Sequence, residues 1–263
     1  MMVRALSWFA LASLALLCAW APVADALESR TVDMDGGDAY RVVELDLAHD
    51  SLELHWRDAE AQPLASIDGL RRWGAAQGRE LLFATNAGIY DRAFRPLGLY
   101  IENGNTQRPL NTVPGAAGAG NFSIQPNGVF YVDKHNRAGV TTTAAWREQK
   151  IDARLATQSG PMLVVDGAIN PNFDADSDSL KWRNGVCAKT AQRVIFAVSQ
   201  APVTFHAFAR LFRDQLGCTD ALYLDGTLSR IYTKDDGYSG APAIMVKPYA
   251  AMLAVFASDA ASD

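Results

Sequence analysis

Ala221-Leu222-Tyr223-Leu224-Asp225-Gly226-Thr227-Leu228-Ser229-Arg230 is an apolar run that ends in a carboxylate and a glycine. The first four residues have the length and composition of a buried strand. Asp225 at its last position, with Gly226 behind it, places a charge at a sheet edge beside permissive backbone, which is where sites are built. Working outward, Val203 to Leu216 carries Phe205, Phe208, Leu211, Phe212 and Leu216 on one helical face, and Gly217 stops it. Further buried-strand candidates are Leu81 to Thr85, Met162 to Val165, Val194 to Val198 and Met252 to Phe256, with Ile244 to Val246 beside the last. Many strands and few helices without a βαβ rhythm predict an α+β fold, a single domain with a mixed twisted β-sheet core and a few packed helices.

The N-terminal third supplies the remaining elements. Tyr40 to Leu47 and Ser51 to Trp56 alternate apolar and polar residues and predict a hairpin with one wet face. Pro63 to Ala76 places Leu64, Ile67, Leu70 and Trp73 at spacings of three, an amphipathic helix ended near Gly78. In the middle, Leu99 to Ile101, Phe122 to Ile124 and Val129 to Val132 are short strands separated by turns, among them the glycine-rich Gly115 to Gly120. Asn127-Gly128 predicts a tight hairpin turn joining the last two.

The chain has 263 residues, 29 acidic against 24 basic, for a net charge of −5, with no basic run; nucleic acid is not an expected partner. Met1 to Arg4 carries one positive charge, Ala5 to Trp20 is almost wholly apolar, and Ala24-Asp25-Ala26 offers small residues at the positions a signal peptidase reads. Residues 1–26 read as a secretory signal peptide and 27–263 as the domain, in a periplasmic or secreted protein with no stable membrane insertion after cleavage. Two cysteines then remain, Cys187 and Cys218, as a disulfide or as separate buried thiols; both readings stay open. Nothing has structural-zinc spacing. Asp174-Ala175-Asp176-Ser177-Asp178-Ser179 alternates carboxylates but lacks the glycine and glutamate of a calcium loop, and reads as a solvated turn.

Three more segments carry chemistry. In Thr85-Asn86-Ala87-Gly88, a strand ends in an amide that donates and accepts, and Gly88 admits close approach of backbone. In Gln158-Ser159-Gly160-Pro161, no nucleophile elbow surrounds Ser159 and no histidine is tied to it, so hydrogen bonding is its expected role. In Arg183-Asn184-Gly185, the arginine fork suits phosphate oxygens and Gly185 frees backbone amides for the same anion. His206 falls off the apolar stripe of its helix and reads as a surface residue or one supporting the site from behind, not as a ligand.

Taken in order, Asn86-Ala87-Gly88, Pro96-Leu97-Gly98-Leu99, Gly120-Asn121-Phe122, Pro126-Asn127-Gly128-Val129-Phe130, Gln158 to Leu163, Arg183-Asn184-Gly185-Val186, Phe208 to Phe212 and Leu224-Asp225-Gly226 resemble the phosphodiester glycosidase family over about Leu81 to Tyr232. The resemblance implies hydrolysis of the bond between a sugar's anomeric carbon and a phosphodiester oxygen. It implies catalytic roles for Asp225, as base or nucleophile, and Arg183, on the phosphate. It implies substrate binding by Asn86, Gly88, Ser159, Gly160, Gly185 and Gly226, with Asp91 and Glu102 as reserve carboxylates. No metal ligand set and no required cofactor follow, although a divalent cation could bridge Asp225 and a substrate phosphate. Two departures stand out: Ala87 replaces the middle glycine of the family's Asn-Gly-Gly, and Thr227-Leu228 separates Asp225-Gly226 from Ser229. The rival expectation is a periplasmic binding or assembly factor for exopolysaccharide or envelope glycan, using the same cleft without turnover.

Overall fold

Hydrophobic residues that alternate along a strand must be covered on both sides when the strand lies between layers. Val194, Phe196 and Val198 enter one core cluster, while Ile195 and Ala197 enter another. Their strand is therefore covered on both faces and lies inside a central sheet. The computed structural model describes residues 27–91, 93–113, 120–226, 228–245 and 248–257. The expected signal peptide, most of the glycine-rich stretch and Val246 lie outside the described residues.

In chain order the strands are β1 (Leu27–Asp33), β2 (Ala39–Asp46), β3 (Leu52–His55), β4 (Leu81–Asn86), β5 (Tyr100–Glu102), β6 (Asn105–Arg108), β7 (Gly128–Asp133), β8 (Ala138–Thr142), β9 (Ala153–Ser159), β10 (Met162–Val165), β11 (Ala168–Ile169), β12 (Arg183–Ala188), β13 (Arg193–Ser199), β14 (Ala221–Gly226), β15 (Arg230–Thr233), β16 (Gly237–Gly240) and β17 (Met252–Phe256). Helices are α1 (Ile67–Ala75), α2 (Thr143–Gln149) and α3 (Phe205–Arg210), the last running on as a wider turn over Leu211–Gln215. The central sheet has the order β1-β2-β13-β12-β14-β10-β11. Two five-stranded sheets, β16-β15-β4-β17-β3 and β6-β5-β9-β7-β8, share the main core with one of its faces. On the other face α3 buries Phe208, Ala209, Leu211 and Phe212. The α+β single domain expected from sequence is what forms. Every pair of named strands is antiparallel, where a mixed sheet was expected.

The helices follow their sequence signals. Ser66 caps α1 by accepting from Gly69 N, and Thr204 caps α3 by accepting from Ala207 N. Cys187 and Cys218 form a disulfide, which closes the alternative left open above. Among the described residues no helix is long and apolar enough to cross a membrane.

Four expectations are corrected. β2 and β3 do not form a hairpin: β2 lies between β1 and β13, and β3 pairs with β17 in another sheet. The turn after β2 sends the chain across, with Asp50 Oδ2 accepting from Asp46 N at 2.8 Å. Phe122 lies in a 3₁₀ turn over Gly120–Ser123 instead of a strand, and Asn127-Gly128 is no hairpin turn. Asn127 is buried, donating from Nδ2 to Phe122 O at 2.8 Å. Gly128 is required because a Cβ there would meet Met162 Sδ at 2.2 Å. Ala243–Met245 is a 3₁₀ turn, not a strand. Finally, Arg183-Asn184-Gly185, whose Gly185 was expected to free backbone amides for an anion, opens the central strand β12.

Candidate functional site

β4 of one five-stranded sheet and β12 and β14 of the central sheet end beside one another, and each carries a polar side chain at that end. Asn86 donates from Nδ2 to Asp225 Oδ2 at 2.9 Å, tying the two sheets together. Asn184 lies beneath. Its Oδ1 accepts from Asp225 N at 3.0 Å, and its Nδ2 lies 2.9 Å from Thr85 Oγ1 and 2.8 Å from Asn86 O. Asn86 Oδ1 accepts from Arg230 N at 2.9 Å, and Ser229 Oγ donates to Asp225 O at 2.7 Å. Thr85, Asn86, Asn184 and Ser229 are all buried. Buried amides and hydroxyls would cost free energy if left unpaired, so this lattice fixes its members in one arrangement. Its outcome is a carboxylate at a strand end with its backbone and one oxygen held.

Three tyrosines feel the charge of that carboxylate. Tyr90, Tyr223 and Tyr249 are each pushed up from the ordinary tyrosine pKa, chiefly by burial, with the charge of Asp225 adding to the shift in each. All three therefore stay protonated hydroxyls at neutral pH. Tyr249 donates to Leu228 O at 3.0 Å, and Tyr223 Oη accepts from Asn121 Nδ2 at 3.3 Å. The Tyr90 hydroxyl makes no hydrogen bond with the described residues; its ring stacks on Phe94 with centroids 5.7 Å apart.

Arg183 lies elsewhere. It precedes Asn184 on β12 and faces the α3 side of the sheet, 1% exposed. Nε donates to Val203 O at 2.8 Å and Nη2 to Ser179 O at 3.1 Å, while buried Nη1 has no hydrogen-bond partner among the described residues. The guanidinium lies 3.6 Å from the Phe205 ring centroid and 5.6 Å from that of Tyr223. Burial pulls its pKa below the ordinary arginine value, with the Tyr223 and Tyr40 hydroxyls acting the other way. The expectation of an open phosphate clamp is thus revised to a caged cation behind Tyr223.

Other sequence-predicted residues divide. Asn86 and Asp225 meet, and Gly226 ends β14 opposite Arg183. Gly88, at φ +71°, approaches Thr157, and a Cβ there would meet Oγ1 at 2.6 Å. Ser159 is fully buried and donates to Leu224 O at 2.7 Å, so its hydroxyl faces the backbone of β14, away from solvent. Gly160 makes room for Asn127, whose Oδ1 a Cβ would meet at 1.9 Å. Gly185 is mid-strand, opposite Ala197 and Tyr223, so its amide serves the ladder and not an anion. Asp91 is held by Arg95, Nη2 to Oδ2 at 2.8 Å, and Glu102 accepts from the Tyr100 hydroxyl at 2.9 Å; neither contacts Asp225. Among the described residues no cluster of three or more His, Cys, Asp or Glu is placed to hold a metal ion. Sequence reasoning missed Asn184 and the tyrosines. The available signal was a pair of polar residues, Arg183-Asn184, opening an otherwise apolar run.

Comparison with known proteins adds to this geometry. The family model described as phosphodiester glycosidase matches residues 79–255. The uncharacterized protein YigE of Escherichia coli (strain K12) is 38% identical over 183 residues, 70% of this chain and 70% of that protein. The zebrafish N-acetylglucosamine-1-phosphodiester alpha-N-acetylglucosaminidase catalytic domain, auto-inhibited by its pro-peptide, matches with a TM-score of 0.59 at 16% identity, over 89% of this chain and 85% of that one. A putative exported protein from Burkholderia pseudomallei K96243 matches with a TM-score of 0.55 at 10% identity, over 83% of this chain and 74% of that one. At these identities the structural matches speak to fold.

Proposed function

The chain belongs to the phosphodiester glycosidase family, and on that premise we propose that it is an exported hydrolase cleaving the glycosidic bond of a sugar-1-phosphodiester. The observation that carries this reading is the Asn86–Asp225 hydrogen bond at 2.9 Å, set on the buried Asn184. It holds a carboxylate at the junction of two sheets.

The chemistry asks little more. A phosphodiester departs as a stabilised anion, so the leaving group needs less general-acid help than an alcohol would. In the base mechanism Asp225 accepts a proton from water as the water oxygen attacks the anomeric carbon. The carbon–oxygen bond breaks with its electron pair going to the phosphate oxygen. In the nucleophile mechanism Asp225 attacks first and water releases the sugar afterwards. Either way Asn86 holds one carboxylate oxygen through the reaction. The Tyr90 hydroxyl is the donor closest in character to what a sugar hydroxyl or phosphate oxygen requires. Arg183 contributes fixed positive charge behind Tyr223, favouring an anionic substrate without touching it.

The departure at Ala87 from the family's middle glycine is what favours the rival binding factor in the sequence. Ala87 is buried in the main core and its amide donates to Ala251 O at 2.9 Å, so the added methyl points inward. A serine-hydrolase reading fails on Ser159, which contacts no histidine among the described residues.

The test is release of free sugar by the protein from a panel of sugar-1-phosphodiesters, with N-acetylglucosamine-1-phosphodiesters and nucleotide sugars among them, with and without chelator. Turnover of at least one member is the expected result, and the chelator arm decides whether a divalent ion shared by Asp225 and the substrate phosphate takes part. Binding of sugar phosphates without any release would replace the hydrolase by the binding factor.

A further inference from the structure

A second arginine adjoins the lattice around Asp225. Arg230 opens β15, and its amide donates to Asn86 Oδ1 at 2.9 Å. The same Asn86 side chain donates from Nδ2 to Asp225 Oδ2 at 2.9 Å. Ser229, just before Arg230, bonds the Asp225 carbonyl through Oγ at 2.7 Å. Ile231 pairs with Thr85 and Tyr232 with Ala84; carried one step on, that register sets Arg230 opposite Asn86. Opposed residues of an antiparallel pair share a face, with Cβ atoms about 4.5–5.5 Å apart. Ile231 enters the main core, so Arg230 points out of the other face of its strand, as Tyr232 does. Arg230 and Asp225 are therefore both neighbours of one amide side chain.

The guanidinium of Arg230 is held in place without being used. Its Cζ lies 4.0 Å from the Tyr238 ring centroid, and the Tyr238 hydroxyl is anchored by donating to Asp68 Oδ1 at 2.8 Å. That ring is a fixed shelf under a planar cation. Asp68 is already matched by Arg71, whose Nη2 lies 3.0 Å from the same oxygen. Arg230 has no ion pair and no side-chain hydrogen bond among the described residues. It is half-buried, with Nε enclosed and the Nη end of the fork open to solvent. An enclosed donor without an acceptor costs free energy that a bound anion would offset. A flat fork with its donors uncommitted suits the oxygens of a phosphate. The Tyr249 hydroxyl, raised chiefly by burial, feels Arg230 in one direction and Asp225 in the other, as expected where both charges face one space. Arg183, enclosed behind Tyr223, has no such opening.

We propose that Arg230 binds the phosphodiester of the substrate, its fork on the non-bridging oxygens, while Asp225, on the other side of Asn86, addresses the anomeric carbon. The assignment rests on the hydrolase reading above and names the anion-binding residue of that same site. The diester carries one negative charge before cleavage and gains a second as the carbon–oxygen bond breaks, so the fork serves both binding and departure.

The experiment has a binding arm and a kinetic arm. Dimethyl phosphate, a diester without a sugar, is titrated with protein and followed by phosphorus NMR line broadening. The native protein is expected to broaden the line and Arg230→Met to leave it sharp. On the best panel substrate, kcat/KM is expected to fall about 10–100-fold in Arg230→Met at an unchanged melting temperature, the range for hydrogen bonds to a charged group. Arg230→Lys keeps the charge without the fork and is expected to recover part of that loss. A line left sharp by the native protein or broadened equally by Arg230→Met, or an unchanged kcat/KM, would overturn the assignment; should Arg230→Met fail to fold, native values in Arg230→Lys would do so. Broadening that depends on Arg230, with no panel member turned over, would keep the anion site and remove the hydrolase. A sharp line together with no turnover would remove both.

Discussion

Arg183 and Asn184 are adjacent on β12 and live in opposite worlds. Asn184 faces the junction of two sheets, where both ends of its amide meet partners and those partners meet others. Arg183 faces α3, stacked on Phe205, with two nitrogens on carbonyl oxygens, one without a partner, and no carboxylate ion pair among the described residues. A saturated lattice holds atoms still; an uncompensated cation supplies field. The difference teaches that this site separates positioning from electrostatics across the thickness of a single sheet.

That division can be broken experimentally. The largest expected effect on the fold is that of Asn184→Leu, which removes the acceptor of the Asp225 amide and the donor that Thr85 Oγ1 and Asn86 O share. A loss of about 3 kcal/mol is expected in denaturant unfolding, since each buried unpaired group costs roughly 1–3 kcal/mol. Stability within about 1 kcal/mol of the native protein would mean that solvent reaches the lattice and that positioning is not its role.

Arg183→Met sharpens the contrast from the other side. Replacing a buried charge by an apolar residue of similar length is often near neutral for stability. A fixed charge acting at a distance in a partly buried site is worth roughly tenfold in kcat/KM. Retained stability with reduced turnover is the expected pair of results; a large stability loss with turnover per folded molecule unchanged would make Arg183 a purely structural cation.

Ser159→Ala is expected to cost about 1 kcal/mol of stability by leaving Leu224 O without its donor, and to leave turnover intact. Loss of turnover at full stability would return Ser159 to the site.

The smallest effect concerns acid. Burial pushes the Glu53 carboxyl up, but hydrogen bonds from His55 and Arg79 outweigh it and hold it below the ordinary value of 4.5. A carboxyl depressed in the folded state stabilises above its unfolded pKa, and that stability is lost as pH falls through the folded value. Melting temperatures measured from pH 6 downward should therefore fall less steeply for Glu53→Gln than for the native protein below about pH 4.5. Parallel curves would show that Glu53 is not depressed.

How much of this was legible follows the same division. Asn86 and Asp225 could be read because each ends an apolar run, and the Val203 to Leu216 stripe announced its helix. Arg183-Asn184-Gly185 carries Asn and Gly, which suit turns, and its place in a central strand follows from pairing on both sides, with β13 across a short connection and with β14 some 40 residues on. The supposed Tyr40 to Trp56 hairpin failed for the same reason: β2 is claimed by β13, some 150 residues on. Local propensity cannot weigh such non-local competition. Nor could it show that the Arg183 fork, chosen for its chemistry, would be turned to the far face of its strand.

The most direct test of the central claim compares Asp225→Asn with the native protein on the best panel substrate, measuring turnover, substrate affinity and melting temperature together. A fall of about 10²–10⁴-fold in kcat is expected, with affinity and melting temperature little changed. Undiminished turnover in a folded Asp225→Asn protein would contradict the assignment of Asp225 as the reacting carboxylate, and with it the site described here.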